Sequence, residues 1–228
     1  MILAAGLGTR LQPITNTKPK ALVEVRGVTL LEYVMRQLRN HGVDEVIINV
    51  HHFPDQIKQF IESKNQFGCR IEFSEEPVLL DTGGGLKNAA WFFDDKASFI
   101  LHNVDIISDI DLGRMLRQHR ENNALVTLAV NSRTTNRYFM FDENDFLCGW
   151  KSVRENKEIR AREPQGQITD LAFCGIHVIS PAIFAKLTAT GRFSIIESYL
   201  RLAGENAAIR AFRADTYNWR DVGKLSEL

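Results

Sequence analysis

Cysteine is scarce in this chain. Three occur in 228 residues, Cys69, Cys148 and Cys174, scattered and with no Cys-x-x-Cys pair. That pattern excludes a disulfide framework and a thiolate metal cluster, and each cysteine reads as a small buried hydrophobe in a reduced cytoplasm. Long apolar runs are missing too. No stretch approaches the roughly 18 residues of a membrane span, and the first residues lack a basic-then-apolar leader, so neither a membrane partner nor export is expected. Excess charge is absent as well: Lys+Arg and Asp+Glu number 28 each. Without a global field there is no expectation of nucleic-acid binding, and any anion site must be local. There is no Ser/Pro-rich linker, repeat or low-complexity tract to divide the chain. Because Met1 falls almost inside the first apolar strand, a few residues are expected to precede it.

What is present is 44% hydrophobic content, enough for a sizeable core in one α/β domain spanning 1–228. The pattern alternates strand and helix. Leu30, Leu31, Val34, Met35 and Leu38 recur on one helical face, with Gly42 placed to end the helix. Glu45-Val-Ile-Ile-Asn-Val50 is a β-branched run that reads as a buried parallel strand. His51 and His52 follow it, but adjacent side chains on extended chain point apart, so they predict a loop role rather than a shared metal. From Ala124 the pattern turns antiparallel, with strands at 125–130, 137–141 and 173–179 spaced as a small sheet that walls one side of a pocket. The polar stretch 151–166 between them reads as an exposed excursion or lid.

Four stretches carry chemistry. The first, Leu3-Ala-Ala-Gly-Leu-Gly-Thr-Arg-Leu-Gln-Pro-Ile-Thr-Asn-Thr-Lys-Pro-Lys20, leaves a strand and opens into a loop. Gly6 and Gly8 let the backbone approach a bulky anion, and Arg10 and Lys20 add fixed positive charge, with Lys18 a weaker third cation. A dinucleotide fingerprint is excluded because position 11 is Leu11 and Pro13 follows, and a P-loop because no Gly-Lys-Ser/Thr closes it. In the second stretch, Asp81-Thr-Gly-Gly-Gly-Leu86, three bare glycines are expected to form a loop opening onto a helix N-terminus, close to a base or sugar. The third ends a buried strand in Asn103-Val-Asp105, where a carboxylate suits a hard cation. In the fourth, Trp219 and Asp221 alternate in an extended segment closed by Gly223 and so share one face.

Taken together these stretches closely resemble the signature of the nucleoside-diphosphate-sugar pyrophosphorylases, the sugar-1-phosphate nucleotidyltransferases. The resemblance covers nearly the whole chain and implies a Rossmann-like, three-layer GT-A-like α/β fold with a mixed, mainly parallel sheet. It implies transfer of a nucleotidyl group from a nucleoside triphosphate to a sugar 1-phosphate, with Mg²⁺ held by Asp105 and Asp221. Arg10 and Lys20 would be catalytic. Leu3, Ala5, Gly6, Gly8, Thr9, Gly83 and Gly84 would bind nucleotide, and Gly85, Asn103, Glu163, Gly175 and Trp219 the sugar. The family's usual Glu-Lys-Pro is replaced by Arg162-Glu-Pro164 and its Tyr-Gly by Tyr138-Phe139, so sugar contacts transfer poorly. The Asp-Thr-Gly-Gly-Gly-Leu form looks most like the branch that activates N-acetylmuramate 1-phosphate with UTP for cell-wall synthesis. Guanylyltransferases for mannose or heptose 1-phosphate and a glucose-1-phosphate thymidylyltransferase are the alternatives, and a cytoplasmic monomer or homodimer is expected.

Rival classes make different demands. A metal-dependent glycosyltransferase would use Asp109 and Asp111, although Asp111 also reads as the cap of the helix from Leu112. A non-catalytic regulatory subunit would be expected to lose one of Arg10, Lys20, Asp105 or Asp221, and all four are retained. A phosphoalcohol cytidylyltransferase shares the first loop but is not expected to carry the triple glycine.

Overall fold

A computed structural model describes residues 1–93 and 97–228. The chain opens with β1 (Ile2–Leu3), a hairpin of β2 (Glu24–Val25) and β3 (Val28–Thr29), α1 (Leu30–Asn40), β4 (Glu45–Val50) and α2 (Pro54–Ser63). It continues through β5 (Arg70–Glu75), α3 (Asp81–Asn88), β6 (Phe99–Asn103), β7 (Ile106–Ser108) and α4 (Leu112–Glu121). Next come β8 (Val126–Asn131), β9 (Arg137–Phe141), β10 (Leu147–Ser152), β11 (Lys157–Arg160) and β12 (Thr169–Ile179), and the chain closes with α5 (Ile195–Gly204), β13 (Ile209–Arg213) and β14 (Trp219–Asp221).

Strands β6, β1, β4 and β5 lie side by side and parallel, because each apolar run is followed by a helix that returns the chain to the same edge. β12 joins this set antiparallel to β6. Its first residues, Thr169 to Leu171, instead pair with β9, so this one long strand carries the sheet onward into β9, β10 and β11. Gly175, at φ +75°, sits where the register of β12 against β8 shifts, a bulge that only a residue without Cβ adopts readily. A separate two-stranded ribbon, β7 with β14, brings the C-terminal segment back beside the end of β6.

Successive residues on each strand feed opposite faces. In β6, Ile100 packs with α1, α2 and α4, while Leu101 packs with α3 and α5, which gives three layers and two cores. Leu30, Leu31, Val34, Met35 and Leu38 of α1 are all buried, as their spacing predicts. Each contributes about 1.5–3 kcal/mol relative to exposure. The Thr29 hydroxyl accepts from the Glu32 amide and fixes where α1 starts, and Asp111 does the same for α4 from Arg114 at 2.8 Å.

Three local expectations are corrected. The 151–166 stretch is no free excursion: β10 runs on to Ser152 and turns into β11, forming a paired hairpin at the sheet edge. β8 belongs to the central sheet, flanked by β12 and by β13, a parallel strand that the sequence pattern did not single out. The triple glycine is not a loop before a helix, because Gly83, Gly84 and Gly85 lie inside α3 and are buried.

Candidate active site

The carboxyl ends of β1, β4 and β6 open into a cavity of about 340 Å³, where a parallel sheet leaves backbone uncovered by its crossover helices. Leu3, Ala5, Gly6, Lys20, Asn103 and Asp105 line it. A Cβ built on Gly6 would meet no protein atom within 4 Å, so packing does not explain this glycine, and its backbone faces open space. Gly8 differs: at φ +67° its carbonyl accepts from the Thr15 hydroxyl and the Leu11 amide, and a Cβ would press on Thr15. It shapes the turn that starts the exposed Thr9 and Arg10.

Charge converges on Asp105. The Lys20 ammonium pairs directly with its carboxylate, and the Arg10 guanidinium stands 3.9 Å away, half exposed. Pairing of β14 with β7 sets Asp221 opposite Ile106, and the Val222 amide donates to the Asp105 carbonyl at 2.9 Å. Gly223 is the point of closest approach. A Cβ there would lie 2.7 Å from Asp105 Oδ2, 2.8 Å from Arg10 and 2.8 Å from Asp221 Oδ1, so the three side chains meet only because residue 223 has none. The Gly223 amide donates to Asp221 Oδ1 at 2.8 Å. Asp105 and Asp221 present hard oxygen donors on one small volume. Among the described residues no third acidic, His or Cys side chain joins them, a set that suits Mg²⁺ completing its shell with water and phosphate oxygens.

Other expected site residues fall differently. The indole of Trp219 donates to the Cys174 carbonyl at 2.8 Å, and Gly175 beside it packs on Ile106 and Asn103, which groups Asn103, Gly175 and Trp219 on one wall. Gly83, Gly84 and Gly85 do not face the cavity. Cβ atoms there would collide with the Phe193 ring, the Gly191 carbonyl and the Glu76 carboxylate respectively, so these glycines allow α3 to pack closely against neighbouring chain segments. Glu163 lies in a surface depression with Gly204 and Asn206, beside the start of β13. That is the amino end of the sheet, whereas Asp105 follows the carboxyl end of β6. Asp109 and Asp111 are both engaged structurally, the first by the Asn218 amide and side chain, the second as the α4 cap.

A buried polar lattice went unread in the sequence. Asn49 accepts from the Ala4 and Ala5 amides at 2.7 and 3.3 Å and donates to Glu76 at 2.7 Å, while Glu76 accepts from the Leu80 amide. It ties the first loop to the entry of α3 and places Asp81, Thr82 and Arg192 on the cavity rim. The signal was available: Asn49 is the one polar residue inside an otherwise apolar strand end, and buried amides are kept where backbone groups need partners. His51 and His52 act as loop ties, to the carbonyls of Glu76 and Thr15.

Known proteins share this build. Residues 1–228 match the nucleotidyl transferase family. The chain is 31% identical to N-acetylmuramate alpha-1-phosphate uridylyltransferase of Caulobacter vibrioides over 90% of its length and 84% of that protein. It is 30% identical to D-glycero-alpha-D-manno-heptose 1-phosphate guanylyltransferase of Campylobacter jejuni over 98% of its length and 93% of that protein. It spans only 60% of the length of other curated relatives. The crystal structure of HddC from Yersinia pseudotuberculosis complexed with GMP-PN superposes with a TM-score of 0.79 at 22% identity, covering 99% of this chain and 94% of that one. Because the family match runs over the whole of residues 1–228, the chain belongs to the nucleotidyl transferase family.

Proposed function

We propose that this protein transfers a nucleotidyl group from a nucleoside triphosphate to a sugar 1-phosphate, releasing pyrophosphate, and that UTP with N-acetylmuramate 1-phosphate is its best pair. The observation that carries this reading is the meeting of Arg10, Asp105 and Asp221 at Gly223, next to a cavity floored by bare Gly6 backbone. A phosphate oxygen of the sugar 1-phosphate attacks the α-phosphorus in line, and pyrophosphate leaves. The attacking phosphate is already ionised at neutral pH, so no general base is needed; positioning and charge stabilisation carry the rate. Mg²⁺ held by Asp105 and Asp221 would supply charge neutralisation between the two phosphates. Arg10 holds the departing β- and γ-phosphates with the Gly6 to Gly8 segment, and Lys20 counters charge growing at the α-phosphoryl group.

The uridylyl and muramate assignment is supported by the Asp81-Thr-Gly-Gly-Gly-Leu86 form and by the Caulobacter relative. The broader coverage of the Campylobacter relative favours a second reading, a guanylyltransferase for heptose or mannose 1-phosphate. No helix among the described residues is long and apolar enough to cross a membrane. The test is a panel of nucleoside triphosphates against N-acetylmuramate, mannose, heptose and glucose 1-phosphates, read by pyrophosphate release with and without Mg²⁺. The highest kcat/KM is expected for UTP with N-acetylmuramate 1-phosphate. A preference for GTP with mannose or heptose 1-phosphate overturns the substrate assignment, and the absence of pyrophosphate from every pair overturns the reaction.

A further inference from the structure

One cation beside Trp219 makes no direct ion pair among the described residues. Arg133, just past β8, lays its guanidinium over the Trp219 ring with 3.8 Å to the ring centre. One terminal nitrogen donates to Asn131 Oδ1 at 2.8 Å and weakly to Cys174 Sγ, and the other donates to the Phe173 carbonyl at 2.8 Å. These contacts use part of its five-donor fork and fix its plane. They leave it without a carboxylate among the described residues. The neighbouring cation, Lys151, is already neutralised by Asp170. Half-burying a guanidinium without a direct ion pair is costly, and a carboxylate supplied from outside would offset that cost.

Its position says which part of a substrate it meets. Trp219 precedes Asp221 by two residues on a strand, so the two share a face about 7 Å apart. If the sugar phosphate sits at Asp105 and Asp221, Arg133 stands on the Trp219 side of that phosphate. Burial pulls the Arg133 guanidinium below its ordinary range, and the Asp221 carboxylate acts against that shift. A planar fork stacked on an aromatic ring is preorganised for two-point binding of a carboxylate.

We propose that Arg133 reads a carboxylate carried by the sugar, making this enzyme selective for an acidic sugar 1-phosphate. The inference rests on the reaction proposed above and deepens it, because the lactyl ether of N-acetylmuramate is such a carboxylate and N-acetylglucosamine lacks it. The test compares N-acetylmuramate 1-phosphate with N-acetylglucosamine 1-phosphate in the wild type, Arg133→Gln and Arg133→Lys, by kcat/KM and by calorimetric Kd. The acid-to-neutral ratio should fall by at least about tenfold in Arg133→Gln, the scale of one charge-assisted hydrogen bond. Arg133→Lys should recover part of it, which a purely structural loss would not show. An unchanged ratio, whether or not both rates fall together, overturns the proposal, since Arg133 would then serve the phosphate or the fold. Loss of the Kd ratio in Arg133→Gln without turnover by the wild type would strike the reaction alone.

Discussion

Arg10, Lys20, Asp105 and Asp221 are separated by up to 211 positions in the chain, yet their charges are interlocked in the fold. Arg10 is the most exposed of the contacts around Asp105, which in the reaction proposed above would leave it free to follow charge that moves toward pyrophosphate. Arg10→Ala should therefore lower kcat by about 2.7–4 kcal/mol in barrier terms, roughly a hundred- to a thousandfold, with a smaller change in the sugar-phosphate KM. Steady-state kinetics on both substrates checks this, and a variant of wild-type kcat would remove Arg10 from the site. Asp105→Asn and Asp221→Asn should each abolish Mg²⁺-dependent turnover with a native circular dichroism spectrum, because an amide keeps the shape and loses the charge a hard cation requires. Asp111→Asn is the internal control. Asn caps a helix about as well as Asp, so activity should survive.

At the scale of elements, β1 with its loop and α3 use glycine for opposite reasons. Gly6 borders open space, so Gly6→Ala should change unfolding free energy by less than about 1 kcal/mol while raising the nucleotide KM. Gly84 lies against the Gly191 carbonyl, 2.3 Å from where a Cβ would stand, and against Leu80. Gly84→Val should thus act first on stability, by about 1–3 kcal/mol or more, through overpacking between α3 and the segment before α5. Urea unfolding alongside kinetics separates the two cases. The sequence alone favoured the reverse for Gly84, since a run of three glycines reads as bare loop until the 191–195 segment is seen to occupy the space they leave.

For the whole molecule, the layered packing buries three imidazoles in the neutral state. Burial pulls His102 and His119 down to about 4 and His177 to about 3. His119 meets the Thr127 hydroxyl and His177 the Tyr199 hydroxyl, while His102 sits between Gln37 and the Asn103 carbonyl. Below the unfolded value near 6.5 the unfolded chain takes up protons that the folded chain refuses, so stability rises with pH between about 4 and 6.5 and is lost as pH falls through that window. Each imidazole contributes up to about 1.4 kcal/mol per pH unit there. Thermal unfolding at pH 7.5 and 5.5 should show a clear drop in Tm, flattened in His177→Asn. An equal Tm at both pH values would mean that these imidazoles ionise in the folded state.

Much of the architecture is local and was legible. The apolar strand runs, the heptad-like face of α1, the Thr29 and Asp111 caps and the alternation of Trp219 with Asp221 are all decided within a few residues, where side-chain period and capping chemistry act. The candidate cations and carboxylates could likewise be named, because Gly-rich loops and carboxylates at strand ends have few structural uses. Tertiary structure alone decided what each glycine and polar residue faces. Gly83 to Gly85 became packing surface because the 191–195 segment returns over α3, and Glu163 went to the far end of the sheet because β10 and β11 pair into a hairpin. Asn49, Glu76 and Arg133 find hydrogen-bond partners 27 to 45 positions away in the chain, in a register set by strand pairing rather than by sequence spacing. A sequence fixes which groups a chain can offer; which of them meet depends on long-range burial, a term no local pattern contains.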